Sequence, residues 1–433
     1  MSELDRRRFL TAASGAALAT LAAPSSVRAS PNERVQVAVV GVNGRGRQLA
    51  QGFASLSDAR VVTLADVDQR VLPPVVSEVT DRQGSTPRTV SDFRTLLDDP
   101  AVDALVFAVP DHWHALATIL ACRAGKDVYV EKPASHNIRE GAAMVAAARK
   151  YGRVVQHGTQ SRSRAHIRSA VQAMRDGLIG DVLMAKAINN QLREPIGRAA
   201  DEASAPPEVD YNLWLGPAGE RPFNPNRFHY NWHWFWDYGT GDIGNDGVHQ
   251  IDIARWALNV EDPVAVTSAG GQLFYDDDHE TPDTQIVTWE FPNTTLVYEM
   301  RLWARYVVGR SRQSTCCEFY GTNGFVRLDY YGWEAFGLQN KPLRSELPSD
   351  ELDPPHLQNF IDCVRAGKPD GLNAEIREGH LSSRLALMGN IAQRVKRRLA
   401  FDAGTESFID DVEANALLSR EHREGFEVPD LAL

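Results

Sequence analysis

The chain has 433 residues, with 46 Lys and Arg against 57 Asp and Glu for a net charge of −11, 43% hydrophobic residues and 24% charged. That length accommodates two or three domains with ample buried core, and that composition excludes disordered and collagen-like chains. The acidic balance also excludes a general nucleic-acid binder, which needs a basic footprint to neutralise phosphates.

In chain order, Asp5-Arg6-Arg7-Arg8-Phe9-Leu10 precedes an apolar, alanine-rich run over residues 11–23, and Val27-Arg28-Ala29 closes on small residues suited to signal cleavage. This resembles a twin-arginine export signal over residues 1–29. The apolar run falls well short of the ~20 residues of a spanning helix. The expectation is a periplasmic or otherwise exported protein, delivered by the twin-arginine machinery, without a stable membrane anchor. That route carries folded proteins and suits an enzyme that collects a cofactor first.

Residues 35–40, Val-Gln-Val-Ala-Val-Val, predict a buried strand ended by Gly41-Val42-Asn43-Gly44-Arg45-Gly46, with a helix over 47–55. Asn43 takes the middle place of a GxGxxG turn, and Asn tolerates left-handed backbone better than most residues. A second strand over 60–65 ends at Asp66, 20 residues after Gly46. A strand-end acid at that spacing accepts hydrogen bonds from ribose hydroxyls, favouring NAD over NADP, although Arg45, Arg47 or Arg70 could approach a 2′-phosphate. The pyrophosphate would sit on the helix N-terminus near residues 43–46.

Further strands over 102–109, 126–130 and 154–156 alternate with helices over 115–124 and 139–151, predicting βαβ units and a doubly wound parallel sheet. Ligands of such sheets gather at the carboxyl ends of strands, where Gly41, Asp66, Pro110, Glu131 and Gln160 fall.

Four features in this order, the glycine turn with Asp66, Pro110-Asp111-His112-Trp113-His114, Glu131-Lys132-Pro133 and the stretch from Gly241 to Asp252 (GDIGNDGVHQID), carry a resemblance to the Gfo/Idh/MocA oxidoreductase family. The resemblance implies hydride transfer between a nicotinamide and a sugar or cyclitol carbon, with Lys132 and His249 around the reacting hydroxyl. Oxidising a secondary alcohol needs a base for its proton and a cation beside the developing alkoxide. Pro110, His114, Glu131, Lys132 and Gln160 are assigned with the glycine turn to the cofactor, and Asn245, Asp252, His233, Trp234 and Arg162 to substrate. Many members carry an aspartate four residues before this histidine, where this chain has Asn245. Either His249 works without that carboxylate, or Asp246 reaches the pocket from a rearranged turn, or the reaction is not simple dehydrogenation. His249 and Asp252, one helical turn apart, also fit a structural pair. No coordination set for a metal stands out.

After residue 180 the texture changes to a strand over 182–189, a Pro- and Ala-rich loop, and Phe228-His229-Tyr230-Asn231-Trp232-His233-Trp234-Phe235-Trp236-Asp237-Tyr238, where tryptophan faces and polar groups together suit a carbohydrate, or else core and interface. Strands over 264–269, 284–291, 295–301, 315–320 and 324–329 predict an antiparallel meander whose open face needs a cover, hence a homodimer or homotetramer. Helices over 357–366 and 374–399 close the chain. The four cysteines, Cys122, Cys316, Cys317 and Cys363, lack CxxC spacing and read as buried thiols.

The fold expected is α/β: a Rossmann domain over 33–157, an α+β substrate and oligomerisation domain with a large, mostly antiparallel open sheet over 158–345, and a helical segment over 346–433 packing back on both. The function expected is an exported NAD- or NADP-dependent oxidoreductase with tightly held nucleotide, acting on a small carbohydrate or cyclitol. The alternatives are an NAD-dependent glycosidase or lyase that oxidises transiently, and a carbohydrate-binding protein with structural nucleotide.

Overall fold

The computed structural model describes residues 34–202, 204–304, 314–351 and 353–429. The export-signal reading of residues 1–29 lies outside the described residues.

Six parallel strands form the first sheet: β1 (Val35–Val40), β2 (Ala59–Ala65), β3 (Arg88–Val90), β4 (Ala104–Phe107), β5 (Asp127–Val130) and β6 (Val155–His157), in the order β3-β2-β1-β4-β5-β6. β1 sits mid-sheet and is buried on both faces, with Val35, Val37 and Val39 inaccessible to solvent, which is why it reads as a continuous apolar run rather than an alternation. Helices α1 (Arg45–Ser55), α2 (Leu72–Gln83), α3 (Asp111–Arg123) and α4 (Ile138–Tyr151) provide the crossovers. Strand order reverses between β1 and β4, opening a crevice at their carboxyl ends. α2 and β3 escaped the sequence reading: α2 opens on Leu72-Pro73-Pro74, which reads as a break although Pro fits the first helical turn, and β3 has three residues, none fully buried.

The chain leaves this sheet through α5 (Ala165–Arg175) and enters a ten-stranded sheet at β7 (Val182–Asn190). The short helix α6 (Tyr211–Leu215) and α7 (Val248–Leu258) follow, then β8 (Ala265–Gly271), β9 (Thr284–Glu290), β10 (Thr295–Arg301), β11 (Thr315–Gly321), β12 (Gly324–Asp329), β13 (Gly332–Gly337) and β14 (Pro342–Glu346). The expected meander needs correction. With β15 (Leu399–Asp402) and β16 (Ser407–Phe408) from the tail, sheet order is β14-β13-β12-β11-β7-β10-β9-β8-β15-β16, so the earliest strand, β7, is inserted between two meanders and pairs parallel with β10. Its Ala185 and Ala187 are buried, and small residues there let α7 pack closely on the middle of the sheet.

The tail divides between the two bodies. α8 (Pro354–Ala366) puts Leu357, Phe360 and Ile361 into the core beneath β1, while α9 (Ile376–Val395) lies against α7 and β8. It is not purely helical, since β15 (Leu399–Asp402) and β16 (Ser407–Phe408) extend the large sheet before α10 (Val412–Ala416). All four cysteines are free and buried. Among the described residues no helix is long and apolar enough to cross a membrane.

Candidate functional site

The carboxyl ends of β1, β2, β4 and β5 open into a cavity of about 570 Å³, closed on its far side by residues from the second domain. Gly41, Asn43, Gly44, Arg45 and Asp66 line one end. Gly41 has φ +79°, and a Cβ there would meet Ala108 O at 2.6 Å, so no other residue makes this turn without displacing the β4 end. Gly46 lies behind it: a Cβ would come within 1.8 Å of Gly41 O, so its role is to let α1 approach the turn rather than to line the cavity. Gly44 caps α1 without a side-chain hydrogen bond, and a Cβ on it would point into open space; the Arg47 amide bonds back to Gly44 O at 3.1 Å, leaving the Arg45 and Gly46 amides to an anion. Asp66 accepts from the amides of Val42 at 2.7 Å and Asp68 at 3.0 Å. Burial raises its pKa to about 6 against those bonds, so it remains mainly ionised at neutral pH.

Lys132, Gln160, His233, Asn245, Asp246 and His249 line the other end, with Pro110 and Glu131 between the two. Lys132 Nζ donates to the Asn245 backbone oxygen at 2.5 Å and to its side-chain Oδ1 at 2.9 Å. Asn245 thus holds the lysine while itself lining the cavity. Residues Ile243–Gly247 form a π-helical turn running into α7, and this wider turn brings Asn245 and Asp246 to the cavity together with His249. Arg193 donates to Asp246 and, at 3.1 Å, to Asp242. Burial opposes the charge on Asp246, but Lys132 and Arg193 outweigh it and hold its pKa below the ordinary value. Asp242, deeper and facing Asp246, is pushed up to about 6 by burial and that neighbouring charge.

Burial and then Lys132 lower the pKa of His249 to about 4, so its imidazole is neutral at physiological pH. No described side chain bonds the ring, and its Nδ1 is buried without a partner. His233 donates from Nδ1 to the Tyr230 carbonyl, and burial and Lys132 lower its pKa to about 3, leaving Nε2 as an acceptor. Glu131 is held at about 2: burial opposes ionisation, but Arg45 and Lys132 prevail.

Besides Gly46, four assigned residues lie elsewhere. His114 is buried and bridges Pro133 O at 2.6 Å and Val109 O at 2.9 Å, tying the β4 end to the Glu131-Lys132-Pro133 turn instead of touching the cavity. Arg162 and Asp252 are paired beneath it at 2.8 Å, so a structural partner for Asp252 exists but is not His249. Trp234 is core: it packs on His279 and beneath the Arg193 guanidinium, in the cluster that also holds Phe228, Phe235 and Tyr238 of the aromatic block. His229, Tyr230 and Trp232 of that block do line the cavity. Arg193 was invisible in sequence, being one arginine in an aperiodic loop.

Residues 35–159 match the oxidoreductase family's NAD-binding Rossmann fold and residues 196–428 its C-terminal alpha/beta domain, the two parts of the Gfo/Idh/MocA proteins. The chain belongs to the Gfo/Idh/MocA oxidoreductase family. Inositol 2-dehydrogenase of Rhizobium meliloti (strain 1021) is 24% identical over 330 residues, covering 76% of this chain and 83% of that one. A glycosyl hydrolase family 109 protein of Saccharopolyspora erythraea is 30% identical over 171 residues, 38% of this chain and 37% of its own. Across several other curated relatives the chain spans between 36% and 59% of their length. Levoglucosan dehydrogenase, solved with NADH and levoglucosan, shares the Gfo/Idh/MocA fold at a TM-score of 0.65 and 17% identity, over 85% of this chain and 99% of that one.

Proposed function

We propose that the protein is an exported NAD-dependent oxidoreductase that moves hydride to or from a carbon bearing a secondary hydroxyl on a sugar, glycoside or cyclitol. The carrying observation is one cavity with a glycine turn, open helix amides and Asp66 at one end and Lys132, His249 and Asp246 at the other. The first end fits a dinucleotide, whose nicotinamide, when bound, accepts or supplies the hydride. The second fits the alcohol. Neutral His249 takes the hydroxyl proton, the Lys132 ammonium stabilises the charge left on oxygen, and Asp246 stabilises the imidazolium that forms. The carboxylate displaced by one residue from the usual family position is thereby accommodated by the π turn.

Three arginines that could reach a 2′-phosphate are engaged by carboxylates: Arg45 by Glu131 and Asp353, Arg47 by Glu78, and Arg70 by Asp68 at 2.7 Å. A 2′-phosphate would instead face Asp66 and Asp68. Affinity for NADP is expected to be at least ~10²-fold weaker than for NAD, the effect of like charge brought close. Equilibrium titration of nucleotide-free protein with both reduced forms checks this, and equal affinities overturn the assignment to NAD.

The function itself is tested by denaturing protein purified without added cofactor and identifying released nucleotide by mass spectrometry, then screening polyols and glycosides for oxidised or cleaved products. Stoichiometric NAD is the expected result and supports tight retention through export by the twin-arginine route. Protein that holds none and binds none when it is added defeats the reading. A second reading, glycoside cleavage through transient oxidation, draws support from Asn245 replacing the usual carboxylate and from the family 109 relatives. Free sugar without net redox change would establish it.

Tyr320, Phe325 and Phe336 form a row across the outer face of the large sheet, with ring centroids 6.4 and 5.0 Å apart, and Ile286 on that face is 49% exposed. We propose that a second copy covers it, giving a homodimer or homotetramer. Light scattering at micromolar concentration is expected to show that species and Phe325→Asp to dissociate it, whereas a monomeric wild type sinks the proposal.

A further inference from the structure

A strap from the second domain crosses the mouth of the dinucleotide end. Its backbone is stitched to the loop after β2: Gln69 N donates to Glu208 O at 3.1 Å, Asp210 N donates to Val67 O at 2.9 Å, and Asp68 bridges Val209. Further along, Phe228 is buried against Trp214 and Phe223, and the next residue, His229, turns out of that core with φ +50°. Left-handed backbone at a histidine is uncommon and costs free energy, so surrounding contacts must hold it. Those contacts are on opposite banks of the groove. Asn43 in the glycine turn donates from Nδ2 to His229 Nδ1 at 3.0 Å, and His229 Nε2 donates to Asp68 Oδ2 at 2.9 Å. The ring therefore joins the β1 end to the β2 end directly over the space between Gly44 and Asp66.

We infer that His229 is a nucleotide-retaining residue, a clasp that must open before the dinucleotide can enter or leave. This inference rests on the dinucleotide reading of the cavity. The clasp is a neutral ring between an amide and a carboxylate, so its opening breaks two hydrogen bonds without separating an ion pair. The strained backbone favours opening once the two bonds break, while the buried Phe228 keeps His229 close to the groove, and Asp68, almost fully buried and also gripped by Arg70, is a fixed post on the far bank. A residue acting in this way slows both passages but leaves the contacts that recognise the nucleotide in place.

The test is stopped-flow displacement of NADH from the full chain, followed by nucleotide fluorescence. His229→Gly removes the ring while accepting the positive φ. Its NADH dissociation rate is expected to rise about tenfold, the change expected from losing two modest hydrogen bonds, with the association rate equal to or above wild type. His229→Asn, which also tolerates this backbone but is too short to span both banks, should fall between. A dissociation rate within twofold of wild type in both variants overturns the clasp. So does a slower association rate with dissociation unchanged, which marks a merely structural role. A wild-type protein that takes up no NADH defeats the dinucleotide reading instead, an outcome distinguishable from either.

Discussion

Lys132→Met is expected to reduce turnover by about 10²- to 10⁴-fold while leaving the nucleotide in place. The lysine is held at the β5 end by two bonds to Asn245 at 2.5 and 2.9 Å, so its ammonium has a fixed position before substrate arrives. A charge that needs no reorganisation is worth most where charge develops during reaction, and here that is the alkoxide oxygen. Methionine keeps the apolar stem and approximate volume but removes the charge, which separates electrostatics from packing. It also removes the cation that helps keep His249 neutral and Asp246 ionised, so the pH profile of the residual activity should move as well. The measurement is kcat on whichever polyol or glycoside the wild-type protein turns over, alongside nucleotide content after denaturation. Turnover within tenfold of wild type with full nucleotide occupancy would remove Lys132 from the chemistry. The same variant tests the non-catalytic alternative, under which carbohydrate affinity without turnover is the only property to measure.

Much of this site was legible because its residues sit at strand ends, where a short apolar run followed by Gly, Asp or Glu-Lys-Pro leaves a linear signature. Gly41, Asp66, Lys132 and Gln160 come from four such ends, and the sheet brings them to one cavity. His114 misled because a histidine beside a strand end looks like a ligand contact, while its buried ring lies between the Pro133 and Val109 carbonyls, to one of which the neutral imidazole donates. Trp234 misled for a related reason: an aromatic block gives no period by which to separate the rings that face a ligand from those that fill the core. Asp246 depended on the π turn, a one-residue change of register that no hydrophobic pattern announces. Arg193 reaches Asp246 over 53 residues of sequence within the second domain and His229 reaches Asp68 over 161 residues across the two domains, and contacts of that span leave no local trace. The large sheet shows the same limit. Six of its ten strands were recognisable in the sequence, β7 to β12, while β13 to β16 were not, and the insertion of β7 between β10 and β11 follows from tertiary packing against α7.

Arg162→Met is expected to destabilise the protein by about 3–5 kcal/mol, the cost of leaving a carboxylate buried without its counter-charge. Arg162 Nε and Nη2 donate to the Asp252 carboxylate at 2.8–3.0 Å, and Ser382 Oγ donates to it at 2.6 Å; Asp252 is inaccessible to solvent and Arg162 only 4% exposed. The pair joins the turn after β6, which carries Gln160, to α7 one turn beyond His249, and so fixes the histidine's helix to the Rossmann sheet. Burial raises the pKa of Asp252, but Arg162 and Ser382 more than offset that and hold it below the ordinary carboxyl value. The sign follows from linkage: with the folded pKa below the unfolded value of ~3.9, this stabilisation is present above about pH 4 and lost as pH falls through the folded pKa. Denaturant unfolding of the nucleotide-free protein should therefore show the deficit of Arg162→Met at neutral pH and its narrowing in acid. Replacing both partners, Arg162→Met with Asp252→Leu, should recover much of the loss, because a buried pair exchanged for apolar groups is often near neutral. If the single variant loses less than about 1 kcal/mol, the pair is not the anchor of α7. If the double variant regains stability but not turnover, the pair's greater contribution is orientation of His249.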